Sequence, residues 1–335
     1  MAELLTSAQN LKFKRLVALR EKSRLRRDEG VFVVEGRREL EHCMEAGFEV
    51  ETMFVCPEIA DSAAGATPPS GVRPSDSPHH PSGAVPPLPN RGCYVLQGEY
   101  PRSLGPKTFE LSKELYAKVA YREGTEGVMA IVKSREWTLA DLDVMLTSRG
   151  NAWENADNQR VPLHQSQGAQ GSRPQGARQQ RARQQGAPLI MVLEGVEKPG
   201  NLGAVLRSAD AAGADAVIVC DPLTDLWNPN LIRASIGAVF TVPTVCCSSA
   251  EAIAWLKARG IRILTAQLQD SSVYYDADMT GPTAIVMGTE ATGLTDPWRR
   301  AADAHVLIPM LGRLDSLNVS VSAAILLYEA VRQRQ

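Results

Sequence analysis

Short apolar runs recur through the second half of the chain: "PLIMVLEGV", "DAVIVC", "FTVPTV", "IRILTA", "TAIVMG" and "AHVLIPM". Helical stretches at about 200–213, 229–238, 249–259 and 294–302 separate them. Runs that are apolar throughout belong to strands buried on both faces, and strands joined through helices run parallel. The pattern therefore predicts an α/β fold with a largely parallel sheet covered by helices on both sides. Ligands bind such sheets in the loops beyond the carboxyl ends of the strands.

The first half reads differently. "GVFVVEG", "VETMFVC", "GCYVLQ" and "GVMAIVK" are strand-like, and "RRELEHCMEAG" is a helix with Leu40, Cys43 and Met44 on one face and Gly47 as a stop. A small α/β domain over residues 1–135 follows. It opens on a helix at about 8–26 carrying Lys12, Lys14, Arg15, Arg20, Lys22, Arg24, Arg26 and, just beyond, Arg27, with Glu21 as the acid among them. Such a run is either a solvated helix face or a surface for nucleic acid, and the run by itself leaves both open.

Two low-complexity segments interrupt the pattern. Residues 57–92 are dense in Pro, Ser, Gly and Ala and cannot bury enough apolar surface to offset the entropy of ordering, which predicts a disordered insert. His79 and His80 lie within it without further ligands. Residues 136–187, with "QSQGAQGSRPQGARQQRARQQGA", read as a flexible Gln/Arg/Gly-rich tether, leaving 188–335 as the second domain.

A chain of 335 residues has room for two cores. Its formal charge of −2 excludes a polycation but not a local basic patch. The six cysteines form no CxxC pair, so neither a disulfide framework nor a zinc site is expected, and no metal is. "MAELLTSAQNLKFKRL" lacks the apolar core of a signal peptide, and no run approaches the ~18 apolar residues of a membrane span. A cytoplasmic protein without membrane association is expected.

Three loops carry candidate chemistry. In "EKPGNLGAVLRSADAAGADAVIV", Asn201 is placed to cap a helix whose buried stripe is Val205, Leu206, Ala209 and Ala212, with Arg207 beside it. "VMGTEATGL" offers Gly288 and Gly293 for close backbone approach and Glu290 as a carboxylate. In "LIPMLGRLDSLNVS" a strand is expected to end at Met310 and a helix to begin at Ser316. That helix opens on Ser316, Asn318, Ser320 and Ser322 alternating with Leu317, Val319 and Val321, and Asn and Val are both mediocre helix formers. No GxGxxG or GxxxxGK[ST] is present, so an oxidoreductase on a doubly wound sheet loses its main support.

Together, "NLGAVLRSA", "MGTEATGL" and "IPMLGRLDSLNVSVSAAI" resemble the three motifs of the SpoU (TrmH-type) branch of the SPOUT RNA methyltransferases. "NPNLIRASIGAVFTVP" is similar to the segment between the first two motifs, and "NLKFKRLVALREKSRLRRDEGVFVVEGRRELE" is similar to the L30e-like RNA-binding domain of that family. The resemblance implies a parallel sheet with a C-terminal trefoil knot, a homodimer, and S-adenosylmethionine as methyl donor to an RNA ribose 2′-hydroxyl. It implies catalytic roles for Arg207, Asn201, Ser316, Asn318 and Glu290, and a cofactor pocket of Thr265, Gly288, Ile308, Met310 and Leu317. RNA contacts fall to Lys12, Lys14, Arg15, Arg24 and Arg233. Weak helix formers at 316–322 are then tolerated because site geometry selects them.

Methyl transfer to an alcohol is an in-line displacement needing alignment and removal of a proton. A guanidinium has a pKa above ~12, so Arg207 is read as orienting the hydroxyl, with a deprotonated arginine or a phosphate oxygen as open alternatives for the base. An L30e-like domain suits looped RNA with reachable 2′-hydroxyls, which favours ribosomal RNA over tRNA. The rival readings are a tRNA 2′-O-methyltransferase and a non-catalytic RNA-binding or ribosome-assembly protein on a methyltransferase scaffold.

Overall fold

The computed structural model of the protein describes residues 2–64, 107–121, 126–157, 187–289, 292–313 and 316–335. Contacts divide the chain into two units, one of residues 1–135 with 224–241, the other of 136–223 with 242–335.

The first unit begins with β1 (Glu3–Leu5), α1 (Leu11–Glu21), α2 (Ser23–Glu29), β2 (Val31–Glu35), α3 (Arg37–Glu45), β3 (Val50–Val55) and α4 (Pro57–Ala64). It continues with β4 (Lys107–Leu111), α5 (Lys113–Val119) and β5 (Val128–Lys133). The sheet order is β1-β4-β3-β5-β2, with β5 antiparallel to both neighbours and the remaining pairs parallel. The helix expected over 8–26 is divided at Lys22, whose backbone is extended (φ −107°, ψ 106°). The break has a physical purpose. It folds α2 back so that buried Arg26 donates to the carbonyls of Leu19 and Arg20, which the end of α1 would otherwise leave without intrahelical partners.

Residues 57–64 of the expected disordered insert are helical; the rest of it, and the expected strand "GCYVLQ", lie outside the described residues. Strands β1 and β4 were not legible, being short and only partly buried.

The second unit opens on α6 (Leu139–Asp157), where a tether was expected from residue 136. Thr138 and Asp141 bond reciprocally at its start, Asp141 accepting from the Thr138 N–H at 2.8 Å and Thr138 Oγ1 from the Asp141 N–H at 3.2 Å. Buried Leu142 and Met145 then join the core of this unit. The remainder of the expected tether, 158–186, lies outside the described residues. Next come β6 (Leu189–Glu194), α7 (Pro199–Ala212) and β7 (Ala216–Cys220).

The chain then enters the first unit as α8 (Pro229–Ser235) and α9 (Ala238–Thr241). Trp227 stacks on Phe32 of β2 with ring centroids 4.3 Å apart, and Phe48 and Phe240 close the aromatic cluster. Asp225 meets Arg26 at 2.7 Å in an ion pair whose side chains are 7% and 2% exposed. Gly237, at φ +86°, lies so close to α3 that a Cβ would sit 2.8 Å from His42 Nδ1.

Back in the second unit follow β8 (Thr244–Cys247), α10 (Ser249–Ala258), β9 (Arg262–Ala266), β10 (Ser272–Val273), β11 (Thr283–Met287), α11 (Asp296–Ala301), β12 (Ala304–Leu307) and α12 (Val319–Gln333). All seven strands are parallel, in the order β10-β12-β9-β11-β6-β7-β8. "FTVPTV" contributes a strand only from Thr244, because Phe240 and Thr241 end α9 and Pro243 interposes. Ile190, Val192, Ile218, Ile263, Val286 and Trp298 share one core with α10 and α11, while α12 packs against α7, β11 and β6. Among the described residues, no helix is long and apolar enough to cross a membrane, and no group of three or more His, Cys, Asp or Glu is placed to hold a metal ion.

Candidate active site

Pro199 at the first helical position starts α7 three residues earlier than a cap at Asn201 would, with Lys198 as its N-cap. Asn201 is therefore in the first turn rather than at the cap, and its side chain serves another purpose. Its Oδ1 accepts from Asn318 Nδ2 at 3.1 Å, joining the first and third motif segments. Asn318, not Ser316, caps α12: its Oδ1 accepts from the Ser320 N–H at 2.9 Å and from the Ser320 hydroxyl at 2.6 Å. The amide works at both ends, one oxygen ordering the helix and one N–H₂ reaching Asn201, a combination that aspartate or serine cannot supply. Ser316 and Leu317 are exposed ahead of the cap. Arg207, about one and two-thirds turns beyond Asn201 on α7, is exposed beside buried Leu206 and makes no hydrogen bond or ion pair among the described residues.

The loops at the strand ends flank this pair in sequence. After β11 the chain doubles back, with Thr289 and Gly293 bridged and the Gly293 N–H donating to the Thr289 carbonyl at 3.0 Å. A Cβ on Gly288 would lie 2.3 Å from the Gly293 carbonyl carbon, so the crossing of the loop's own backbone requires glycine there. Glu290 lies outside the described residues.

The loop's exit is held by a residue that sequence reasoning missed. Glu194, buried at the end of β6, accepts from the Thr295 N–H at 2.8 Å and the Thr295 hydroxyl at 2.6 Å, and lies 3.1 Å from the Ser249 hydroxyl. A lone carboxylate ending an apolar strand was the available signal.

Thr265 is fully buried on β9, its hydroxyl 2.6 Å from His305 Nδ1. Two residues on, Gln267 has its Oε1 buried with no partner among the described residues, while its N–H₂ donates to the Gln269 carbonyl at 2.9 Å. Gln267 was also missed. Ile308 and Met310 are half-buried and follow β12, which ends at Leu307 rather than Met310.

The basic run of the first unit is less cationic than its sequence. Lys12 pairs with Glu3 at 2.6 Å and sits over the Phe109 ring; Arg15 pairs with Glu29 at 2.7 Å and Glu51 at 2.6 Å; Arg24 meets Asp28 at 3.5 Å. The Arg15 hydrogen bond holds the Glu51 carboxyl below the usual carboxylate range, and the Arg15 guanidinium is raised in turn, mainly by the same bond. Lys14 is exposed and makes no ion pair among the described residues. Arg233, on α8, donates to Asn230 Oδ1 at 3.2 Å and lies over the ring of Tyr121, its Cζ 4.1 Å from the centroid.

Comparison with known proteins gives two family matches: residues 188–328 to the SpoU rRNA Methylase family and residues 10–74 to an MRM3-like substrate binding domain. The "23S rRNA (guanosine-2'-O-)-methyltransferase RlmB" of Ralstonia nicotianae is 43% identical over 150 residues, covering 44% of this chain and 60% of the relative. This match thus spans somewhat over half the length of that curated relative. The protein of the same name from Pectobacterium atrosepticum is 31% identical over 242 residues, 72% of this chain and 89% of the relative. A solved structure described as an RNA 2'-O ribose methyltransferase matches 99% of both chains at 31% identity and a TM-score of 0.64. Two structures of the same fold, at 23% and 24% identity, were solved with AdoMet bound.

Proposed function

Because the chain belongs to the SpoU rRNA methylase family, we propose that it is an S-adenosylmethionine-dependent RNA ribose 2′-O-methyltransferase acting on ribosomal RNA. The observation that carries this reading is the Asn201–Asn318 bond, which ties the start of the arginine-bearing helix α7 to the cap of α12. The residues present fit the cofactor. Gln267 offers a buried acceptor without a partner among the described residues, suited to an exocyclic amine, and Gly288, Thr289 and Gly293 bring their backbones together beyond β11 at the same edge of the sheet.

When bound, the sulfonium supplies an electrophilic methyl group. The chain's own residues do the rest. Arg207, exposed and uncommitted among the described residues, binds the phosphate beside the target ribose and orients its 2′-hydroxyl, using the planar donor fork that suits phosphate oxygens. Asn201 and Asn318 hold α7 in register with the residues before α12, so that Arg207, Ser316 and the ribose stay aligned for in-line displacement. Glu194 fixes the exit of the loop that follows β11 through Thr295. Thr265 acts through His305 and its backbone, and Ile308, Met310 and Leu317 line the cofactor pocket.

The finer architecture belongs to the same proposal. The chain runs from β12, between β9 and β10, to α12 against α7, and we read the passage over 308–318 as the trefoil knot. Val321 and Tyr328 are exposed large apolar residues seven positions apart on one face of α12, which supports a homodimer closed over this helix. The first unit is the L30e-like RNA-binding domain, and the protein acts in the cytoplasm.

The test is incubation of the protein and labelled cofactor with deproteinised ribosomal RNA and bulk tRNA from a strain lacking it, followed by mapping of 2′-O-methyl sites. Label in ribosomal RNA is expected. Label confined to tRNA rejects the substrate, and label in neither rejects the enzyme.

A further inference from the structure

Tyr121 follows α5 in the first unit and is 43% exposed. Two arginines from distant parts of the sequence converge on its ring: the Arg233 Cζ lies 4.1 Å and the Arg20 Cζ 5.3 Å from the centroid. None of the three is loosely held. The Tyr121 N–H donates to both Glu35 oxygens, at 2.9 and 3.1 Å; Arg20 donates to the Val119 carbonyl; Arg233 donates to Asn230 Oδ1. Glu35 stands among these charges with its oxygens on the Tyr121 backbone, and burial pushes its carboxyl up, with Arg20 and Arg233 opposing the shift.

A cation–π contact that serves packing alone gains most when ring and guanidinium are both desolvated. Here the tyrosine as a residue stays 43% exposed while its backbone and both guanidinium partners are fixed, the arrangement of a preorganised surface rather than of a buried joint. Flat rings and guanidinium planes are the two side-chain groups on which unpaired nucleobases stack, and the two positive charges suit the phosphates that accompany such a base. We propose that Arg20, Tyr121 and Arg233 form a stacking site for one unpaired nucleobase of the RNA, with Glu35 as the residue that positions the tyrosine. The site rests on the RNA-methylating reading above and adds to it where the first unit grips the substrate: at a single-stranded or looped nucleotide rather than along a duplex.

The probe is a single-stranded oligouridylate carrying 5-iodouridine, with a fully paired duplex of the same length as comparison. Long-wavelength irradiation of the full chain with this oligonucleotide is expected to yield an adduct in the peptide containing Tyr121. Tyr121→Leu should bind the single strand about 5- to 100-fold more weakly, with the melting temperature and S-adenosylmethionine affinity of the parent. Tyr121→Phe should bind as the parent does, and the preference for single strand over duplex should vanish in the leucine variant. An adduct mapping elsewhere overturns the site. So does parental affinity in Tyr121→Leu, or a lowered melting temperature with unchanged affinity, which would make the stack a packing device. If methylation and RNA binding persist in Tyr121→Leu, only this site fails; if the parent binds no RNA and methylates none, the functional reading fails with it.

Discussion

Asn318 shows how much one side chain can join. Its carbonyl oxygen caps α12 and its N–H₂ meets Asn201, so Asn318→Ala removes an N-cap and a tie between helices together. Loss of the cap costs about 1 kcal/mol, a few degrees of melting temperature in a protein of this size. Turnover should fall far more than stability, because the register of α7 against the residues before α12 relaxes. Parallel measurement of the melting curve and kcat tests this, and a fall in kcat no larger than the stability loss explains would reduce Asn318 to a cap. Arg207→Ala should leave the melting temperature and cofactor affinity intact, since the side chain is exposed, while abolishing methyl transfer. Calorimetric titration with S-adenosylmethionine beside a methylation assay separates the two effects.

At the scale of elements, the ion pairs along α1 decide how the helix behaves. The Glu51 carboxyl is lowered, so its pair with Arg15 contributes stability above the unfolded carboxylate pKa of about 4.3 and loses it as pH falls through the lower folded value. Both side chains are about one-third exposed, so the contribution is at most about 1 kcal/mol. Glu51→Gln should be slightly less stable than the parent above pH 5, with the difference shrinking as pH falls through the lowered folded value, read from urea midpoints across the acidic range. Neutralising Lys12, Lys14, Arg15 and Arg24 together should weaken RNA binding uniformly and flatten its salt dependence. The change in slope should fall short of four phosphate contacts, because three of these residues already hold carboxylates. That compensation was not legible in the sequence, since Glu3, Glu29 and Glu51 stand outside the basic run and reach it only through the fold. The parallel strands were legible because full burial leaves an unbroken apolar run, as in "LIMVLE" and "TAIVM". Helix α6 was not, because its few buried residues lie next to a polar, low-complexity stretch. At the site, the motifs marked Asn201, Arg207 and Asn318, but Gln267 and Glu194 emerge only from burial and hydrogen bonding.

For the whole molecule, the two units are not two consecutive lengths of chain. Residues 224–241 complete the first unit from within the sequence of the second, setting Trp227 against Phe32, Phe240 against Phe48 and Asp225 against Arg26. A fragment of residues 1–135 should therefore bind a hydrophobic dye and melt well below the first unit of the intact protein. Uncovering that cluster resembles a large-to-small core change of about 3–5 kcal/mol, and leaving Arg26 unpaired adds to it. A fragment that melts as the intact protein does, without dye binding, would show the cluster to be dispensable. The same excursion sets an order of events on the ribosome. The amino-terminal unit waits for its last segment until residue 241 has left the exit tunnel, about 5–20 s after residue 135 at ordinary elongation rates. Until then its aromatic face is a client surface for chaperones. A codon change that slows translation between those two points would lengthen that exposure without altering a single amino acid.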